Sequence, residues 1–197
     1  MAYSPKNSPS SPEQIRRYVD NAAQAARNAI LSILGAPVHP VRTEPDVGGR
    51  HIIAGLNAAS TILDAYADWL EPKNPSYRQH IAILRGFSRL ARAASREDCG
   101  YVTQALIDAS KFALANSAGV LPPEVGLSGL LAQAIDAIES DETSEHETAV
   151  SVIQIIGKAC AIEAQSHVNE KVAGWRAIRG LHVLLDIALE AEGIPSA

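Results

Sequence analysis

Seven stretches of this 197-residue chain repeat apolar residues every three or four positions, and none alternates them one by one. That period is helical and leaves little room for a sheet. The clearest case is the face Ile52, Leu56, Ala59, Leu63, Tyr66, Leu70, whose steps of four and three are those of bundled helices. The residue supply agrees. Aromatics make up only 5% of the chain, so the core is built from Ala, Leu, Ile and Val. Such a core suits closely approaching helices better than sheets. One β-branched run, Val150 to Ile156, would also fit a strand. It has no second strand to pair with, so it reads as helix.

Punctuation between the stretches sets their ends. Ser11, Pro12 and Gln14 open the first helix as N-cap, first position and capping-box partner. Its expected inward face is Ile15, Tyr18, Val19, Ala22, Ala26, Ala29, Ile30 and Ile33, and Gly35 and Pro37 stop it. The second runs from about Gly49 to Leu70. The third opens at Asn74-Pro75 and turns Tyr77, Ile81, Leu84, Phe87, Leu90 and Ala91 inward. Ser95 and Asp98 restart the chain into a fourth, with Val102, Leu106, Ala109, Phe112 and Ala113 as its apolar face. Gly119 to Pro123 is a break, followed by a fifth helix with Leu127, Leu130, Leu131, Ala134 and Ile138 on one side. Thr143 or Ser144, with Glu147, caps a sixth that is apolar nearly all round from Val150 to Ile162, which places it at the bundle centre. A seventh, from about Val168 to Glu192, carries Val172, Trp175, Ile178, Leu181, Leu185 and Leu189. A break from the sixth is expected near Ser166–Asn169.

The fold expected is therefore an all-α, six- or seven-helix bundle, one domain over residues 11–197. Residues 1–10, rich in Ser and Pro, offer no apolar anchor and are expected to be a disordered tail. The start of the chain lacks the basic and apolar regions of a signal peptide, and no apolar run reaches the ~18 residues of a membrane span. A cytoplasmic protein, in its own cell or a host's, is the expectation. Cys99 and Cys160 form no disulfide framework and read as free thiols.

Charge is unevenly placed. Residues 1–123 hold 13 Lys and Arg against 10 Asp and Glu, whereas residues 124–197 hold 4 against 12. Five arginines, Arg78, Arg85, Arg89, Arg92 and Arg96, are spaced seven, four, three and four apart on the third helix. At 100° per residue they fall within about 60° of one another. No acidic residue lies between Glu71 and Glu97 to neutralise them on that helix. Like charges so placed repel. Either the acidic C-terminal half answers the stripe, or an external anion does: nucleic-acid phosphates or an acidic protein face.

Other constellations are sparser. Arg176 and His182, five residues apart in between, resemble the Arg-x4–6-His motif of HEPN ribonucleases, an all-α family. The resemblance implies metal-independent RNA cleavage by an Arg and a His that meet across a dimer interface. Position 177 is Ala, where that family usually carries a polar residue. Glu163 with His167, and His182 with Asp186, each share a helix face and would converge as a metal site only if the last two helices were antiparallel neighbours. Ion pairing explains them more simply, and so does a solvated surface for Asp64 and Asp68. The connection from Ala36 to Val47 holds His39, Arg42, Glu44 and Asp46, and the Gly48-Gly49 pair that follows at a helix start offers bare amides to an anion.

No nucleophile triad, dinucleotide fingerprint, metal cluster or cofactor motif is legible. The pattern points to a non-enzymatic binding or assembly protein, forming homo-oligomers, whose Arg stripe contacts an anionic partner. A HEPN-like ribonuclease and an accessory factor or effector binding one specific protein are the alternatives.

Overall fold

The computed structural model describes residues 11–38, 49–73, 77–95, 101–117, 126–166 and 173–196. Over these the chain forms seven helices and no strand: α1 (Pro12–Leu34), α2 (Arg50–Leu70), α3 (Arg78–Ala94), α4 (Tyr101–Ser117), α5 (Leu127–Glu139), α6 (Glu145–Ser166) and α7 (Ala173–Ala191). The Val150 to Ile156 run lies within α6. The tail at residues 1–10 and the break expected at 166–169 lie outside the described residues, apart from Ser166 at the end of α6.

The capping chemistry takes the expected form. Ser11 Oγ accepts from the Gln14 amide at 3.2 Å, and Gly35 closes α1 in the left-handed conformation at φ 71°. Before α6, the Ser144 amide donates to Glu147 Oε2 at 2.9 Å while the Glu147 amide donates to Ser144 Oγ at 3.3 Å, a reciprocal capping box.

One continuous core joins all the helices from α1 to α7. The centre is shared. α2 packs against α1, α3, α6 and α7, whereas α6 packs against α2, α3, α5 and α7 and leaves Lys158 and Ile162 exposed. An all-round apolar sequence thus does not make α6 the sole central helix, because α2 and α3 bury the larger side chains Tyr66 and Phe87. α6 and α7 run antiparallel: a Cβ on Gly55 would meet both Ile153 and Ala188, and one on Gly157 would face His182.

Two helices turn a face other than the one expected. On α1, Tyr18, Ala22, Ala29 and Ile33 are exposed, and Arg27, Ile30 and Leu31 are buried instead. An edge helix packed chiefly on α7 and α2 needs one narrow stripe, so part of its apolar surface stays in water. On α4, Val102 and Phe112 point outward, and Tyr77, just before α3, is likewise exposed. The buried line of α4 is Thr103, Ile107, Ser110, Ala113 and Ser117. Ser110 Oγ donates to Leu106 O at 2.9 Å within the helix and reaches the Gly86 carbonyl of α3 at 3.3 Å, and Ser117 Oγ donates to Leu114 O at 2.9 Å, so small polar residues can face α3 at close range.

Candidate anion-binding groove

The arginine stripe of α3 meets a row of carboxylates on α2. Asp64, Asp68 and Glu71 follow one another at steps of four and three, the spacing of a single face. Arg92 pairs with Asp64 at 2.7 Å and reaches Ser60 Oγ from Nε at 3.3 Å. Arg85 contacts both Asp68 and Glu71 at 2.9 Å. Hydrogen bonding to Asp68, followed by that to Glu71, holds the Arg85 guanidinium above its ordinary range against the opposing effect of burial. Beneath these pairs Ser88 donates to the Ser60 carbonyl at 3.0 Å, and small hydroxyl residues let the two helices approach.

Arg85 and Arg92 are therefore answered by the α2 row and not by the acidic C-terminal half that the charge split suggested. Asp64, partly exposed, and Asp68, exposed, both read from sequence as solvated, supply these pairs together with Glu71. Their spacing was the available signal. It was missed because the partner helix of a charged face is set by packing rather than by sequence separation.

Two arginines are left over. Arg78 and Arg89 have no ion pair among the described residues; Arg89 donates only to the Ala109 carbonyl, at 3.4 Å. Both line an open groove of about 650 Å³ between α3 and α4, in which Arg85 also stands. Ile81, Ala82, Ala109 and Ala113 form its floor, and Phe112, 73% exposed, stands at its rim. Arg96 lies outside the described residues.

The other sequence candidates lie on α6, α7 and the start of α2. Arg176 is exposed on α7, and His182, partly exposed, sits 3.8 Å from Asp186. Six residues along a helix place Arg176 and His182 about 120° apart, so α7 does not bring them together within one chain. Glu163, 1% exposed, is held across helices: Tyr66 donates to it at 2.7 Å, and His80 Nε2 lies 2.9 Å from Oε2. His167 lies outside the described residues. Among the described residues no group of three or more His, Cys, Asp and Glu side chains could hold a metal ion. Cys160 is buried, and burial with the nearby Glu163 charge pushes its thiol up, away from reactivity. Cys99 lies outside the described residues.

Gly49, just before α2, has an internal anion. Glu192 accepts from the Gly49 amide at 3.3 Å, the His51 amide at 3.1 Å and the His51 ring at 2.8 Å. The His51 Nε2 faces Asp20 at 2.7 Å, and Arg50 pairs with the same Asp20. Burial alone would raise the Glu192 carboxyl; the three hydrogen bonds outweigh it and hold the group below the usual carboxylate range. His39, Arg42, Glu44, Asp46 and Gly48 lie outside the described residues.

No family model, curated protein or solved structure matches the chain. Fold and site accordingly define a class and no more: a seven-helix bundle with an arginine-rimmed groove. Among the described residues, no helix is long and apolar enough to cross a membrane.

Proposed function

We propose that this chain is a non-enzymatic helical binding module whose α3–α4 groove receives an anionic partner. One observation carries the reading. Of the four described stripe arginines, Arg85 and Arg92 are answered by carboxylates on and just after α2, whereas Arg78 and Arg89 face the groove with no ion pair among the described residues. Glu71 is the groove's one acidic lining residue, so the three arginines leave it net cationic. Two unanswered guanidiniums beside an apolar floor are an arrangement that self-contained folding does not require, because exposed charges add little to stability.

The reading is tested on a heparin column across a salt series, comparing the wild type with Arg78→Glu/Arg89→Glu. The wild type is expected to be retained and to elute with salt, and the variant to pass through. Thermal unfolding of the two should agree to within about 0.5 kcal/mol, since neither arginine anchors the core. Equal retention of both proteins, or none by the wild type, would remove the groove from the function.

A further inference from the structure

We propose that the occupant of the groove is a single strand of nucleic acid, its phosphates on Arg78 and Arg89 and a base stacked on Phe112. The proposal rests on the anion-binding reading above and names the partner. Three features of the groove select this class.

The first is the choice of cation. Residues 77–96 contain five arginines and no lysine. A guanidinium is planar and meets a phosphate with two parallel hydrogen bonds, whereas an ammonium acts as a point charge. The second is spacing. Eleven residues of helix separate Arg78 from Arg89, about 16 Å along the axis. The ligand's anions must recur along an extended chain to use both. The third is Phe112. The ring is 73% exposed at the rim, beside the apolar floor of Ile81, Ala82, Ala109 and Ala113. The matching ligand is anionic along one edge and flat and apolar along the other.

A nucleic-acid strand is built that way. Cations tracking the backbone, with an aromatic ring taking a base, form the usual arrangement for binding a strand without regard to sequence. A duplex keeps its base faces inside its own stack, so the exposed ring selects the unpaired strand. The competing occupant is the acidic turn at residues 139–147 of a second copy. Its Asp141, Glu142 and Glu145 are exposed and would answer the arginines. That turn contains no Phe, Tyr, Trp or aliphatic residue to cover Phe112 and the floor.

The test is fluorescence anisotropy on the full chain with a labelled oligothymidylate, a blunt duplex of equal length, and heparin as a base-free polyanion. With two phosphates neutralised, the logarithm of strand affinity should fall against the logarithm of salt with a slope of about −1.4. Arg78→Gln/Arg89→Gln should abolish that slope. Phe112→Ala should weaken strand binding about five- to 150-fold while leaving the slope unchanged. It should leave heparin binding and thermal unfolding untouched, because the ring is exposed. The duplex should bind more weakly than the strand and ignore Phe112→Ala. Strand affinity indifferent to Phe112→Ala, or a duplex that binds as well as the strand, overturns the proposal. Heparin retained through Arg78 and Arg89 with no strand binding also overturns it but spares the anion-binding groove. Light scattering on the same sample would then show whether a second copy fills it. If neither heparin nor the strand binds, both readings fall.

Discussion

The carboxylate of Glu192 accepts from two backbone amides and an imidazole at the start of α2. Its folded-state pKa is lowered, so its stabilisation is complete above the unfolded value and is lost as pH falls through the folded one. Glu192→Gln should therefore cost about 1 kcal/mol at neutral pH, a figure already reduced for solvent screening. The difference from wild type should shrink as pH falls below the ordinary carboxylate range, roughly 4.3. Urea unfolding at several pH values measures both. A difference that stays constant down the series would mean that Glu192 acts through packing and not through charge. Nothing in the local sequence announced this contact. A glycine pair at a helix start signals free amides, but the residue that accepts from Gly49 lies 143 positions away.

At the level of the helix, existence was legible and orientation was not. The caps at Ser11 and Ser144 and the stop at Gly35 are local chemistry, and the structure contains each of them. Which face turns inward depends on what lies opposite. On α4 the larger side chains Val102 and Phe112 look like core residues by period alone. They stay outside, and the line turned inward is Thr103, Ile107, Ser110, Ala113 and Ser117. The same blindness hid the α2 row opposite Arg85 and Arg92: the arginines were visible as a stripe, and their partners needed the packing. A pair of truncations separates the two kinds of position on α4. Ile107→Ala should cost about 2–4 kcal/mol in denaturant unfolding. Phe112→Ala should stay within about 0.5 kcal/mol. Comparable losses at both would mean that Phe112 is covered in the folded protein.

Over the whole bundle, tight approach at a few points ties the helices together. A Cβ on Gly174 of α7 would overlap the ring of Trp69 and lie 2.8 Å from a ring carbon of Tyr66, both on α2. Tyr66 in turn holds Glu163 of α6, which His80 of α3 also contacts. One added methyl group thus presses on a junction of four helices. Gly174→Ala should lower stability by about 1–3 kcal/mol through overpacking, read as a shifted denaturant midpoint. An unshifted midpoint would show that Trp69 swings aside freely.

The bond from Glu192 to His51 also has a meaning in time. Chains are synthesised at about 5–20 residues per second, so the 141 residues between these partners take roughly 7–28 s to emerge. Through that interval α1 and α2 exist without α7, the helix against which both pack. The sides of both that α7 covers stay open until it emerges. A growing chain of this design carries that apolar surface for seconds before α7 covers it, an interval in which association with other chains competes with folding.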